Sequence, residues 1–392
     1  MKKIYLLCVL GLLTALAPVV NNMFSPAMPA MAAAFGCEQA SVQLGLTAAM
    51  LGLALGQLVI GPWSDRSGRR KPLLWSLALL VVASVACALA PGIATFVALR
   101  AVQGLATGGG IVIARSVATD ISHGTELIKT LAFINVFNGL APIVTPMVGG
   151  ALTSTMGWQG PMAGMLVVAV ILLVACLWIN ESLPAERRVS HDLHTTLLLY
   201  KEVLGNRPCI YTILHQGAAL AVLFGNIAVT PFLVTHYGYA PSTIGYALGA
   251  NGIFTAIGAG AAAAMGSGER GMRITSAGLL SSSIAMAAAL SGDLGFWPYE
   301  VCISVMLFFV GVTLTSSSGH AMESARHQAG TASALLGAVG FIAGAIVAPL
   351  MGLGNMLISA TVVYAAAAAL THVFGRLALE RKTHPTNHDA QL

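Results

Sequence analysis

Basic residues are missing from one whole side of this chain's hydropathy pattern, and charge of either sign is scarce. Only 8% of the 392 residues are Asp, Glu, Lys or Arg, against 57% hydrophobic, and the mean hydropathy is +0.82. A water-soluble domain of this length cannot hide so much apolar surface, so lipid must be the solvent. The six cysteines (Cys8, Cys37, Cys87, Cys176, Cys209, Cys302) are scattered singly, without a CxxC pair, which argues against a zinc site or a redox pair. His191-Asp192-Leu193-His194 is too loosely spaced for a metal site. There is no GxxxxGK[S/T] loop, so no intrinsic ATPase, and no nucleophile–base–acid arrangement; the chain does not read as an enzyme and implies no cofactor. The net charge of +5 comes without a basic stripe carrying interleaved aromatics, so nucleic acid is not the expected partner. Carboxylates also avoid the apolar interior. Glu38, Asp293 and Glu300 fall to one side, and the other eleven acids lie at or beyond the opposite ends of the apolar stretches.

What is present is a series of about twelve apolar stretches of roughly the 20 residues that cross a bilayer as a helix. Their approximate spans are 4–32, 41–62, 72–91, 93–118, 127–152, 160–180, 208–235, 242–265, 273–291, 297–320, 328–353 and 355–376. With a cytoplasmic N-terminus, seventeen of the 19 Lys and Arg residues fall inside, and the other two, Arg100 and Arg115, lie within the fourth stretch. The positive-inside rule therefore has no exception here, and both termini are expected to be cytoplasmic. Met1-Lys2-Lys3 and the apolar run after them resemble a signal peptide, but the run continues past residue 20 into Pro26 and Pro29 and is expected to be retained as the first helix.

The longest polar stretch, from Glu181 to Arg207, sits at mid-chain with six apolar stretches on either side. The expected organisation is a six-helix half over 1–180, a cytoplasmic linker over 181–207, a second six-helix half over 208–380 and a tail over 381–392. A weak internal repeat supports it. Ser25-Pro26 matches Thr230-Pro231, Phe35-Gly36 matches Tyr237-Gly238, and Asp65-Arg66 matches Glu269-Arg270, at near-constant offsets. Duplicated six-helix halves are a recurring membrane-carrier design, with the binding site between repeats near the bilayer midplane.

Three motifs carry a resemblance. Gly61-Pro-Trp-Ser-Asp65-Arg66-Ser-Gly68-Arg69-Arg70-Lys71 follows the second helix. It resembles the signature loop between helices 2 and 3 of the major facilitator superfamily, where a charge cluster latches the cytoplasmic side. Asp120, at the end of the fourth helix, is a second carboxylate within reach. Arg100-Ala-Val-Gln103-Gly104 resembles the superfamily's R-x-x-Q-G motif. Gly139-Leu-Ala-Pro142-Ile-Val-Thr-Pro146-Met-Val-Gly149-Gly150 resembles the fifth-helix motif of drug:proton antiporters. Across residues 1–380 the chain is most similar to the Bcr/CflA group of drug exporters. The resemblance implies an all-α membrane protein of twelve transmembrane helices in two halves, a multi-pass monomer of the bacterial inner membrane. It implies export of small organic molecules by alternating access, with protons as the coupling partner.

One departure bears on mechanism. Asn22-Met23-Phe24-Ser25-Pro26-Ala27-Met28-Pro29 stands where the group reads T-D-M-Y-L-P-A-L-P, so an amide replaces the first-helix acid and Phe24 a tyrosine. An amide cannot titrate. The deep charges are then Arg100 and Arg115, which share a face of the fourth helix with Gln103 and Thr107. The candidate substrate-binding residues are Asn21, Asn22, Phe24, Arg115, Asn135, Asn138, Asn226 and Asn251, and the candidate coupling or polar network is Arg100, Gln103, Asp120 and His215. Asn in a membrane helix also serves as interhelical glue, and His215, near the inner end of its helix, also reads as an interfacial histidine. Two other readings stay open: an exporter or facilitator of an anionic or zwitterionic metabolite or metal chelator that works without the usual acid, and a channel. A channel calls for a ring of repeated polar residues, which the sequence does not offer.

Overall fold

The structure, a computed structural model, describes residues 2–122, 124–188, 201–265, 268–324 and 329–380. The 191–194 segment and the 381–392 tail lie outside the described residues, and so does the side chain of Asn135. Among the described residues every regular element is helical. We number the spans α1 (Ile4–Phe35), α2 (Gln39–Ser67), α3 (Arg70–Ala88), α4 (Ile93–Ile121), α5 (Gly124–Met156) and α6 (Gln159–Cys176), then α7 (Arg207–His236), α8 (Pro241–Met265), α9 (Gly268–Ser291), α10 (Phe296–Ser324), α11 (Ala329–Leu350) and α12 (Met356–Glu380). All but α11 contain a stretch long and apolar enough to cross a membrane, and the apolar part of α11 runs over Leu335–Leu350. Large apolar side chains such as Ile284, Val301 and Val362 are exposed, an arrangement suited to lipid.

The α1 span is broken twice, and prolines account for both breaks. Pro18 has no N–H for the carbonyl of Thr14, and the helix is interrupted between Thr14 and Leu16. Pro26 and Pro29 leave the carbonyls of Asn22 and Ser25 without their usual helical partners. The chain answers with a tight 3₁₀ turn over Ser25–Ala27, closed by Ala27 N–H to the Phe24 carbonyl at 3.0 Å, before the helix resumes at Met28. Asn22 therefore ends one helical segment rather than sitting mid-helix.

Contacts group the chain into two compact units. The first takes the described residues of 1–191 with 226–253 and 344–359; the second takes the described residues of 192–225, 254–343 and 360–392. In the first unit the pieces from the C-terminal part join α1 and α2 through side chains. Ser25 Oγ donates to the Ile227 carbonyl at 2.5 Å, Gln43 Nε2 to the Ala228 carbonyl at 3.0 Å, and Thr47 Oγ1 to the Ala345 carbonyl at 2.7 Å.

Each unit contains one backbone-to-backbone helix crossing of the same design. In the first, a Cβ on Gly56 would strike the Leu105 carbonyl, and one on Gly108 would strike the Leu53 carbonyl and the Gln57 nitrogen. In the second, a Cβ on Gly258 would strike the Phe308 carbonyl, and one on Gly311 the Thr255 carbonyl and the Ala259 nitrogen. Corresponding positions lie 202 or 203 residues apart, close to the offsets of the sequence repeat. Close approach through small residues is how membrane helices gain contact when lipid is as apolar as their side chains.

Candidate functional site

The loop after α2 folds into a charge cluster at the end of the first unit that carries its basic loops. Gly68 turns with φ +92°, a backbone that favours glycine, and any Cβ there would collide with the Glu181 carboxylate. The turn delivers Arg69 between two acids. Its Nε donates to Asp120 Oδ2 at 3.0 Å, and its Nη1 donates to Ser64 Oγ at 2.8 Å and to Asp65 Oδ1. Ser182 Oγ adds a bond to Asp120 Oδ2 at 2.9 Å. Of Arg66, Arg69 and Arg70 in this loop, Arg69 is placed between Asp65 and Asp120; Arg70 donates to the Leu177 carbonyl at 2.9 Å. Burial weakens the Arg69 cation, but hydrogen bonds and charge from Asp120 and Asp65 outweigh it and hold its pKa above the usual arginine value.

Glu181 is the part of this cluster that motif reading missed. Its Oε1 accepts the backbone N–H of Arg69 at 2.7 Å and of Leu183 at 3.1 Å, and its Oε2 accepts the N–H of Arg70 at 3.2 Å. Burial alone would raise its pKa. The backbone donors and the Arg188 charge prevail and hold it below the usual carboxylate range. The only sequence signal for it was an acid just after the sixth helix.

Inside α4, Arg100, Gln103 and Thr107 are fully buried. The Arg100 guanidinium donates to Gln103 Oε1 at 2.6 Å, to the Val20 carbonyl at 3.0 Å and to the Gly45 carbonyl at 3.3 Å. Its carbon lies 4.6 Å from the Phe24 ring centroid, a cation–π contact. Gln103 passes the network on to Ser84 Oγ at 2.9 Å. Arg100 thus ties α1, α2 and α4 together, and fully buried Phe24, packed on Phe96 with ring centroids 5.6 Å apart, forms the floor of that tie.

Arg115 is not enclosed with Arg100, Gln103 and Thr107. It is exposed, and among the described residues it makes no hydrogen bond or ion pair. Asn22 and Asn138 are partly exposed, whereas Asn21, Asn226 and Asn251 are buried. Asn226 Oδ1 accepts the Thr230 hydroxyl at 2.6 Å, a local bond within α7. Asn21 Oδ1 has no hydrogen-bond partner among the described residues.

The proline- and glycine-rich motif of α5 acts as packing surface. Gly149 lies against the Met23 carbonyl, next to the second break in α1. Pro146 meets Gly245 of α8 through its carbonyl, and Ile143 meets Gly249 and Gly252. Gly150 faces Gly245, while Gly139 and its open surroundings take no part in the seam. Gly61, in the latch motif, is in ordinary contact with Val112 of α4.

Residues 10–349 match the Major Facilitator Superfamily. The chain belongs to that superfamily. Among the facilitator's relatives is an uncharacterized MFS-type transporter, YdgK of Bacillus subtilis, 32% identical over 384 residues, with 96% of this chain and 95% of the relative covered. A bicyclomycin resistance protein homolog of Haemophilus influenzae is 28% identical, with 87% of each chain covered, and multidrug resistance protein D of Escherichia coli is 26% identical, with 89% of each covered. In fold the facilitator is similar to a D-xylose–proton symporter (TM-score 0.75, 15% identity, 95% of this chain and 97% of the other covered). It is also similar to a bacterial homolog of the lysosomal transporter Spinster (TM-score 0.73, 18% identity, 97% and 98% covered). The facilitator is a multi-pass membrane protein and a secondary transporter of small molecules, a non-enzymatic carrier.

The second unit of the facilitator holds two polar sites of its own. His215 in α7 is fully buried, with Nδ1 2.8 Å from the Thr371 carbonyl of α12. Glu300, which the sequence pattern put on the outer side, lies in the second turn of α10 and is 8% exposed, beside the buried pair Tyr299 and Tyr364, whose hydroxyls are 3.1 Å apart. It is the one buried acidic side chain among the described residues.

Proposed function

We propose that this carrier exports small organic molecules from the cytoplasm across the bacterial inner membrane by alternating access, driven by protons, as a monomer of the Bcr/CflA type. The six-helix halves 1–180 and 208–380, joined by the 181–207 linker, are its moving parts. Two relatives named as drug-resistance proteins and the antiporter-like motif of α5 support export rather than uptake. The seventeen basic residues on one side support cytoplasmic termini.

The observation that bears most on substrate is the charge inventory. Within α4, Arg115 is exposed and without an ion-pair partner among the described residues, while α1 offers Asn22 where the group has an acid. An arginine at such a depth is retained where water or a partner reaches it, and its planar fork suits carboxylates. The reading is a neutral, zwitterionic or carboxylate-bearing cargo, with Asn22, Asn138 and Arg115 as accessible contacts. Asn21, Asn135, Asn226 and Asn251 are candidates that other conformations would have to uncover.

The test is transport in proteoliposomes with imposed pH gradients, using an anionic, a neutral and a cationic compound set. Export of neutral or anionic compounds that rises with the gradient is the expected result. Strong gradient-dependent export of ethidium-like cations by the unmodified protein would overturn the charge preference. Asn22→Asp should add cation transport and reduce that of anionic compounds.

A further inference from the structure

The inference rests on the reading of the protein as a proton-driven exporter and concerns His215 of the second unit. Its Nδ1 lies 2.8 Å from the Thr371 carbonyl. A carbonyl oxygen only accepts, so Nδ1 carries the hydrogen and Nε2 keeps a bare lone pair. That Nε2 is closed off from solvent and has no hydrogen-bond partner among the described residues. The ring is held in place by close packing. A Cβ on Gly375 of α12 would stand 2.9 Å from Nδ1, 3.0 Å from Cε1 and 2.5 Å from Ser276 Oγ of α9. Thus α7, α9 and α12 meet at the imidazole, and a vacant acceptor has been built into their junction.

Apart from Tyr299, Glu300 and Cys302 near the start of α10 and Tyr364 in the first half of α12, the other ionisable groups on the neighbouring helices are few. On α10, buried His320 lies within electrostatic reach of His215, and the side chain of Glu323 is outside the described residues. On α12 they are His372, beside Thr371, and the Arg376–Glu380 ion pair at 3.3 Å near the end of the helix. On α9 they are Arg273, one turn before Ser276, with Glu269 and Arg270 at the start. On α7 itself Tyr211 is one turn away. Helix α11, which packs on α7 at Gly217 and Gly340, has no ionisable residue. The two imidazoles are therefore the titratable pair at the centre of the junction.

We propose that His215 Nε2 is a proton-exchange site of the carrier, standing in for the carboxyl group that α1 lacks. The lone pair takes a proton from water on one side of the membrane to give an imidazolium, and releases it to the other side later in the cycle. One N–H bond forms and the same bond breaks; no other bond or electron is involved. His320 makes the site single-valued, because two neighbouring imidazolium ions repel each other.

Two measurements on the full-length protein test this. In detergent, nitrogen NMR of labelled histidine, with the His215 signal assigned by its loss in His215→Asn, reads the protonation state directly. The expected result is interconversion of the Nδ1–H and imidazolium forms within the range of roughly pH 5 to 8 where histidine changes charge. A signal fixed in the neutral form across that range overturns the proposal. In proteoliposomes, His215→Asn keeps an N–H donor for the Thr371 carbonyl but cannot titrate. It should still exchange the compound found to be transported at equal pH on both sides, and lose about tenfold or more of its response to a pH gradient. Wild-type gradient response in His215→Asn also overturns it, since a structural role is rescued by the amide. If the unmodified protein transports nothing, the functional reading fails, and the NMR result still decides whether the site titrates.

Discussion

At the residue scale, the latch depends on the shape of one side chain. Arg69 reaches Asp65, Ser64 and Asp120 at once, which takes the planar fork of a guanidinium. Arg69→Lys should lower transport about tenfold while the protein still inserts, as read by initial transport rate per molecule of reconstituted protein; an unchanged rate would remove the fork from the mechanism. The pH behaviour follows from the signs of the shifts. Glu181 is lowered, so its contribution is present above the ordinary carboxylate range and is lost as pH falls through its lowered value. Arg69 is raised, so its contribution is complete below the ordinary arginine value and is lost only as pH climbs through its raised one. Glu181 and Arg69 should then keep their charges from roughly pH 5 to 9. Crosslinking between cysteines placed at Ser67 and Ser182 should show no pH dependence there, whatever the transport rate does. Asp65 and a basic partner from the loop were legible from the motif, and Asp120 from its place at the end of the fourth helix. Glu181 was not, because its partners are backbone N–H groups 112 and 111 residues away, and backbone groups leave no mark in a sequence.

At the scale of elements, the helices were legible because a hydropathy run of bilayer length leaves few alternatives. Their faces were not. Arg100 and Arg115 fall on nearby angles of an ideal helix, yet Arg100 is enclosed by carbonyls of α1 and α2 while Arg115 keeps exposed surface. Glu300 fell within the expected tenth span, but its burial was not legible, because the side chains beside it include Tyr364 of α12, 64 residues further along the chain. The glycine crossings carry a prediction. Gly108→Leu or Gly311→Leu forces a side chain into facing backbone and should cost about 3 kcal/mol, at the upper end for overpacking. Gly139→Ala, which meets nothing within 4 Å, should be neutral. Thermal melting of the purified variants separates them, and equal stability of all three would contradict the seam.

For the molecule as a whole, duplication explains why two crossings share one pattern at offsets of 202 and 203 residues. The sequence repeat was visible at loop landmarks such as Asp65-Arg66 and Glu269-Arg270, where polar residues stand out. Within the helices, Ala, Gly and Leu are too common for a match to mean much, and only contact geometry picks out the equivalent glycines. Orientation is the whole-molecule property the charges predict. Of two single-cysteine proteins, one retaining native Cys37 and one carrying Ser67→Cys, the first should react with a membrane-impermeant thiol reagent on intact cells. The second should react only after permeabilisation. The reverse pattern would invert the membrane topology and the assignment of export with it.

The clamp made by Glu181 also orders events in time. The loop it holds is synthesised 112 residues before it, so the Arg69 turn must wait for the sixth helix to emerge. At roughly 5 to 20 residues per second that delay is on the order of 10 seconds. Asp120 is made 51 residues after Arg69, so only in the later part of the delay are Asp65, Arg69 and Asp120 together on the ribosome-bound chain without the acid that fixes their turn. Closure of the turn is thus a signal that the first six helices are complete. A chain arrested before residue 181 should leave the loop open to protease, and one arrested well beyond it should not.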